Sequence, residues 1–153
     1  MKQDRALLPG LSLAELEALV KSLGAPGYRA RQVNDWLKKG CDFEEMKNLP
    51  QDLLKKLEEV SIAQPAGIIS RRVSALDGTE KYLFSMNDGH CVEGVLMRYR
   101  YGLTLCLSTQ VGCRMGCAFC ASTLGGKLRD LKAGEMAGMA LRVNRLCGEE
   151  RVH

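Results

Sequence analysis

The spacing of apolar residues changes near residue 65, and this change limits what the chain can fold into more than any other feature. Before that point apolar residues recur every three or four positions, as in "LSLAELEALV", where Leu13, Leu16 and Val20 share one helical face. Beyond it they alternate with their neighbours, as Tyr82 and Phe84 do. The sequence therefore predicts a helical first part followed by a part rich in strands.

Capping and turn residues place the elements within these two parts. Ser12 followed by Glu15 is a capping-box pattern that starts the first helix. A second helix runs through "YRARQVNDWLKKG", and a third begins at Pro50 and reaches Val60. Strands are predicted near 67–75, 80–86, 91–98 and 103–109. A last helix fits 133–147, with an apolar face made of Met136, Met139, Ala140, Val143 and Leu146.

Composition indicates the class of the protein and its environment. The chain has 153 residues, 46% of them hydrophobic, enough for one modest core or for a small domain plus part of another. It opens on the charged stretch "MKQDRALLPG" rather than a signal peptide, and no apolar run approaches the ~20 residues that span a bilayer. We therefore expect a cytoplasmic protein with no membrane partner. The net charge of +4 is compatible with nucleic-acid binding without establishing it.

Three cysteines are gathered in "VGCRMGCAFCAS", between the predicted strand "LTLCLSTQ" and the last helix. They are Cys113, Cys117 and Cys120. The chain has seven cysteines, an odd number, which in a reducing compartment favours metal binding or catalysis over a disulfide framework. The carboxyl end of a strand in a β-loop-α unit is where α/β folds usually place their chemistry. Nearby glycines allow the backbone to turn until the three thiolates converge.

A triplet of thiols fits an iron–sulfur cluster better than a structural zinc site. Zinc needs four ligands, usually two separated pairs, and the fourth ligand would have to be Cys106, Cys91 or His90. A cubane cluster is held by cysteine thiolates, and three of them leave one iron free for another ligand. The cluster is the favoured hypothesis, and zinc stays open as the alternative.

The C-x-x-x-C-x-x-C spacing, with Phe119 just before the last cysteine, resembles the radical S-adenosylmethionine superfamily. The longer stretches "LCLSTQVGCRMGCAFCASTLGG" and "RDLKAGEM" resemble the bacterial RNA methyltransferases that act on carbon 2 of adenine in 23S ribosomal RNA and transfer RNA. The segment "YRARQVNDWLKKGCDFEEMKNLPQDLLKKLEE" resembles the small helical accessory domain of that family, and "CVEGVLMRY" resembles the strand leading into its barrel.

The resemblance implies an α/β fold in three parts and a set of residue roles. The parts are a helical accessory, RNA-binding domain over 1–65, a β-rich connecting segment over 66–102 and the start of a radical S-adenosylmethionine β/α barrel over 103–153. Cys113, Cys117 and Cys120 match the ligands of the 4Fe–4S cluster, whose open iron binds S-adenosylmethionine. Cys106 matches a second catalytic cysteine that resolves an RNA–protein adduct through a transient disulfide, and Glu93 matches the proton acceptor.

The resemblance also implies partners and an expected limit on activity. The partners are 23S rRNA and tRNA together with an electron-donating reductant of the flavodoxin type, and the protein is expected to be a monomer. The chain stops at "GEERVH", where the second barrel strand is expected to begin. We therefore expect it to be the N-terminal part of the enzyme, inactive alone because the methyl-carrying cysteine and most of the barrel belong further along.

Three alternatives remain open from the sequence. The first is the sister methyltransferase acting on carbon 8 of adenine, which shares the cluster and both catalytic cysteines. The second is a zinc-stabilised structural module. The third is a non-catalytic RNA-binding module whose cations are Lys21, Arg29, Arg31, Lys38, Lys39, Arg71 and Arg72.

Overall fold

The structure of the protein is a computed structural model that describes residues 5–148 together with 150 and 152. Residues 1–4 of the predicted accessory domain and residues 149, 151 and 153 of the predicted barrel segment lie outside the described residues. The helices, in chain order, are α1 (Leu13–Ser22), α2 (Arg29–Lys38), α3 (Gln51–Val60) and α4 (Ala133–Cys147). The strands are β1 (Ala6–Leu7), β2 (Ser61–Ile62), β3 (Ala66–Val73), β4 (Glu80–Met86), β5 (Cys91–Tyr99), β6 (Gly102–Leu107), β7 (Gln110–Gly112) and β8 (Lys127–Asp130).

The N-terminal helices form where the apolar periodicity predicts them. The predicted capping box is present at α1, where the Ser12 hydroxyl accepts a hydrogen bond from the Glu15 amide and the Glu15 carboxylate accepts one from the Ser12 amide. Pro50 is the residue just before α3 and not its first residue. Buried side chains from these helices and from the segments that flank them form one hydrophobic cluster: Leu8, Leu16, Val20, Ala30, Val33, Leu37, Phe43, Met46, Leu49, Leu53, Leu54, Leu57 and Ala63.

Two very short strands join the beginning and the end of this helical part. β1 pairs in parallel with β2, so that Ala6 lies opposite Ser61 and Leu7 opposite Ile62. The sequence analysis does not predict this pair, because two-residue strands carry no recognisable alternation. The pairing of β1 with β2 holds the first described residues of the chain beside the end of α3.

The four predicted strands of the second part form one antiparallel sheet in the order β3-β4-β5-β6. One face of this sheet, called the inner face here, is covered by α4. Buried residues of this sheet and of α4, together with Val111 of β7 and Leu131, form a second hydrophobic cluster: Ala66, Tyr82, Phe84, Met86, Val92, Leu96, Leu103, Val111, Leu131, Met139 and Val143. The opposite, outer face carries the odd-numbered residues of β5, such as Glu93 and Val95.

The predicted limits of α4 are confirmed, but its predicted apolar face is wrong in part. Met139 and Val143 are buried, whereas Leu146 is 54% exposed. The buried side also includes Gly134 and Gly138. A Cβ atom on Gly138 would lie 2.7 Å from Cγ of Pro65. The backbone of α4 therefore approaches the chain more closely than an apolar pattern can indicate, because glycines contribute no apolar side chain to that pattern.

The end of α4 reaches back to the helical part of the chain. The Arg145 guanidinium donates hydrogen bonds to both carboxylate oxygens of Glu45, at 2.8 and 2.5 Å, and to the carbonyl of Gly40 at 3.1 Å. Beyond α4, Val152 lies beside Leu103 of β6 in a parallel bridge. The division of the chain at residue 65 stays a prediction. Among the described residues, no helix is both long and apolar enough to cross a membrane.

Candidate functional site

The cysteine loop lies inside a β-hairpin and not directly between a strand and a helix as the sequence analysis predicts. β7 and β8 pair antiparallel and enclose residues 113–126, which we call the cysteine loop. At its neck the Cys113 amide donates a hydrogen bond to the Gly126 carbonyl at 3.2 Å. The hairpin is not predicted from the sequence, because its strands have only three and four residues and their apolar and polar residues alternate weakly.

Gly112 permits this closed neck. Its φ is +70°, and a Cβ atom there would lie 1.9 Å from the carbonyl oxygen of Gly126. Only glycine combines that left-handed conformation with so close an approach of two backbones. Within the loop, Gly116 also has a positive φ, of +69°, but no atom lies within 4 Å of the position of its Cβ.

The three predicted cluster ligands lie together on the loop, half-buried, with free thiols. Cys117 and Cys120 are joined by a turn in which the Cys120 amide donates to the Cys117 carbonyl at 3.1 Å. The Thr123 hydroxyl donates to the Cys120 carbonyl at 2.9 Å. In the described part of the chain, however, no three His, Cys, Asp or Glu side chains are gathered closely enough to hold a metal ion.

The chemistry of the donor set fits an iron–sulfur cluster. The loop offers three thiols and contains no His, Asp or Glu that would compete as a ligand. The thiols would have to turn toward one another to hold the cluster. Large apolar side chains on the same loop face solvent, since Met115 is 76%, Phe119 93% and Leu124 88% exposed.

Glu93 and Cys106, the other two predicted site residues, lie on the outer face of the sheet. Cys106 pairs with Val95 across β5 and β6, so its side chain shares the face of Val95 and Glu93. Glu93 is two positions from Val95, which makes it the diagonal neighbour of Cys106. The Ser108 amide and hydroxyl both donate to the Glu93 carbonyl, at 3.2 and 2.8 Å. The register thus places an exposed carboxylate and an exposed thiol as diagonal neighbours on one face of the sheet.

A cavity of about 240 Å³ lies beside the Glu93 carboxylate on this outer face. Its lining residues are Ser70, Arg72, Lys81, Leu83 and Glu93. The Lys81 ammonium lies 2.7 Å from a carboxylate oxygen of Glu93. Lys81 is not among the site residues predicted from the sequence. Its place two residues before Leu83 in an alternating strand puts it on the same face, but its contact with Glu93 depends on the register of two strands.

Charged residues of the stretch "RDLKAGEM" form an ionic network that connects the hairpin to α4. Arg129 of β8 donates to both carboxylate oxygens of Glu135 at 2.8 Å and to Asp88 at 2.6 Å. The Lys132 amide also donates to Glu135, which is buried in the first turn of α4. Burial acts to raise the pKa of Glu135, but these hydrogen bonds outweigh it and the pKa is lowered. The network holds the end of the hairpin on the helix that follows.

Known proteins are similar to this chain over most of its length. Residues 7–63 match the family described as the ribosomal RNA large subunit methyltransferase N-terminal domain. A "probable dual-specificity RNA methyltransferase RlmN" from Alkaliphilus metalliredigens is 47% identical over 147 residues, which cover 95% of this chain and 42% of that protein. The protein of the same name from Lachnoclostridium phytofermentans is also 47% identical, over 93% of this chain and 40% of its own length.

A solved structure is similar over almost the whole chain. It is the crystal structure of a radical SAM methyltransferase from Sphaerobacter thermophilus, with a TM-score of 0.80 and 38% sequence identity. The match covers 96% of this chain and 44% of that one. The chain thus spans about two fifths of the length of the relatives that it matches. The predicted resemblance is confirmed: residues 7–63 match the N-terminal domain of the ribosomal RNA large subunit methyltransferases, and almost the whole chain is similar to part of proteins named as dual-specificity RNA methyltransferases RlmN.

Proposed function

We propose that this chain is part of a radical S-adenosylmethionine methyltransferase that modifies carbon 2 of adenine in 23S rRNA and tRNA. The observation that carries the proposal is the placement of five residues on two neighbouring strands and on the loop of the hairpin that follows them. Cys113, Cys117 and Cys120 project from the hairpin that follows β6, while Glu93 and Cys106 lie on the outer face of β5 and β6. The name of the relatives, RlmN, is consistent with carbon 2 rather than carbon 8.

The cysteine loop would hold a 4Fe–4S cluster through the three thiolates, with S-adenosylmethionine bound at the open iron. When bound, this pair supplies the radical chemistry that an electron-poor ring carbon requires. The chain's own residues have the remaining tasks. The backbone of the loop positions the thiolates, and the closed neck at Gly112 and Gly126 keeps them at the end of the hairpin.

Glu93 and Cys106 have roles that ordinary acid–base and thiol chemistry allow. The Glu93 carboxylate would accept the proton that leaves carbon 2, since it is exposed on the face where Cys106 lies. The Cys106 thiol, also exposed, would attack as a thiolate to release the product and form a disulfide with the methyl-carrying cysteine. Their diagonal placement across β5 and β6 allows both to reach one bound base.

The partners follow from the same proposal. RNA is the substrate, and a flavodoxin-type protein supplies electrons to the cluster of a monomeric enzyme. The helical part would contribute cations to RNA binding. In that part Arg29 lies over the Tyr28 ring and Lys39 over the Trp36 ring, each 4.9 Å from the ring centroid, on a surface where Tyr28 is exposed. Cation–aromatic pairs of this kind can also stack on unpaired bases.

Anaerobic reconstitution with iron and sulfide tests the ligand assignment. We expect the wild-type chain to become brown and to bind iron and sulfide in equal amounts. Cys113→Ala, Cys117→Ala and Cys120→Ala should each lose most of the iron. Cys106→Ala should keep it, and so should the matched control Cys91→Ala, which removes another exposed thiol. Loss of the cluster in Cys106→Ala, or its retention in Cys117→Ala, would show that the ligands are assigned wrongly.

A further inference from the structure

Four residues, one on each strand, form a row across the outer face of the sheet, with two cations at one end and the predicted catalytic thiol at the other. Arg72 of β3 pairs with Lys81 of β4, Lys81 pairs with Val95 of β5, and Val95 pairs with Cys106 of β6. Paired residues on adjacent strands point to the same face. Because strands lie about 4.8 Å apart, the backbone of Lys81 is about 10 Å from that of Cys106, and Arg72 is one strand further away.

The two cations are available to a ligand in different ways. The Arg72 side chain is exposed and makes no hydrogen bond or ion pair within the described residues. Lys81 has an ion pair with Glu93, but both side chains remain about half exposed, at 54% and 50%. An ion pair this exposed contributes little and exchanges readily, because water screens it. Lys81 can therefore leave Glu93 for a stronger anionic partner.

We propose that Arg72 and Lys81 form a phosphate-binding subsite for the RNA strand whose adenine lies at Glu93 and Cys106. This inference rests on the proposed function and adds the direction from which RNA crosses the sheet. The strand would run over β3 and β4 toward β6, with a backbone phosphate in the cavity lined by Ser70, Arg72 and Lys81.

The chemistry of the cavity favours a phosphate of RNA over a neutral ligand. Two cations stand on adjacent strands at a spacing that lets both contact one phosphate group, and the Arg72 guanidinium can donate two hydrogen bonds to its oxygens. The Leu83 side chain provides an apolar surface beside them.

Lys81 would also couple RNA binding to the carboxylate. In the free protein the ammonium is shared with Glu93 at 2.7 Å. When a phosphate engages Lys81, Glu93 loses that partner and its carboxylate becomes available to accept a proton from the base. Lys81 is thus a positioning residue, and Glu93 competes with RNA for it.

Fluorescence anisotropy with a labelled, unmodified transfer RNA transcript tests the subsite in this chain. Each phosphate contact in a single strand contributes about 0.7 to the slope of log affinity against log salt. Arg72→Gln and Lys81→Gln should therefore each lower that slope by about 0.7 and weaken binding about fivefold at 0.1 M salt. Arg100→Gln is the matched control, since it removes an exposed cation from the turn between β5 and β6 that has no ion pair within the described residues.

Competition between Glu93 and RNA gives a second, independent readout. Glu93→Gln should tighten RNA binding because it frees Lys81, and the gain should shrink in the Glu93→Gln, Lys81→Gln double variant. The substituted side chains are all exposed, and an unchanged circular dichroism spectrum would show that the sheet is intact.

Three outcomes would overturn the subsite. The first is that Arg72→Gln and Lys81→Gln bind the transcript with the affinity and the salt slope of the wild type. The second is that the control Arg100→Gln loses as much affinity as these two variants do. The third is failure of the wild-type chain to bind the transcript, which would also count against RNA as its partner. Cluster formation together with either of the first two outcomes would leave the proposed function standing and reject only this subsite.

Discussion

Replacing Gly112 by alanine should open the cysteine loop, and Gly116 provides a matched control in the same segment. Both glycines have nearly the same left-handed backbone, with φ of +70° and +69°. They differ in surroundings, because a Cβ on Gly112 would lie 1.9 Å from the Gly126 carbonyl oxygen whereas a Cβ on Gly116 would meet nothing within 4 Å. The pair therefore separates the cost of backbone conformation from the cost of the collision.

The expected magnitudes follow from these two terms. An alanine held at positive φ costs roughly 1–2 kcal/mol, and that is the whole expectation for Gly116→Ala. In Gly112→Ala the colliding atom belongs to the backbone and cannot rotate away, so the neck must separate. The hydrogen bond from the Cys113 amide to Gly126 is then lost with part of the pairing between β7 and β8, at about 1 kcal/mol for each bond. The difference between the two variants should be about 2 kcal/mol.

Native-state hydrogen exchange measures this difference where it arises. The amides of the β7–β8 pairing should exchange about 30-fold faster in Gly112→Ala than in Gly116→Ala, the ratio that corresponds to 2 kcal/mol. Urea unfolding followed by circular dichroism reports whether the loss extends to the whole chain. Reconstituted iron should fall in Gly112→Ala and persist in Gly116→Ala. Equal exchange rates in the two variants would refute the reasoning, because they would show that the approach of Gly126 has no energetic consequence.

Two further predictions concern the contacts of α4 and its neighbours. Gly138→Ala should destabilise the chain by about 1–3 kcal/mol in urea unfolding, although alanine is the better helix former, because its Cβ would lie 2.7 Å from Pro65; a gain in stability would contradict the packing. Hydrogen bonds from Arg145 and from the Asp42 amide lower the pKa of Glu45 to about 2, so this carboxylate stabilises the fold above about pH 4.5 and loses that effect as the pH falls toward 2. Since the Glu45 and Arg145 side chains are each more than a third exposed, the effect on the free energy of unfolding should be only about 1 kcal/mol. Glu45→Gln should remove this contribution from the pH dependence of urea unfolding. An unchanged loss of stability at acidic pH in that variant would contradict the assignment.

Local signals in the sequence are enough to predict most of the elements. Ser12 and Glu15 form the predicted capping box, and the four long strands fall close to their predicted positions. These features depend on residues within a few positions of one another, so periodicity and capping chemistry determine them. The limits of α4 are predicted equally well, from apolar residues at helical spacing.

Features that depend on distant residues are not predictable in the same way. The close approach of α4 to Pro65 at Gly138 and to Leu7 at Gly134 is one such feature, because a glycine adds no apolar side chain to the local pattern. The hairpin around the cysteine loop is held by Gly112 and Gly126, fourteen positions apart. The ion pair between Lys81 and Glu93 requires the register of β4 against β5. In each case the partner is selected by the folded chain and not by the neighbouring sequence.

The placement of Glu93 and Cys106 on one face follows from how the inner face of β5 is packed. Gly94 lies opposite Leu107, and a Cβ there would lie 2.9 Å from both the Phe84 ring and the Leu107 side chain. The fully buried Phe84 ring therefore occupies the space that a side chain at 94 would fill. Because side chains alternate along a strand, fixing 94 inward forces Glu93 outward. The pairing of Val95 with Cys106 then places the thiol on the same outer face, so a packing requirement of the core determines which side of the sheet carries the two proposed catalytic residues.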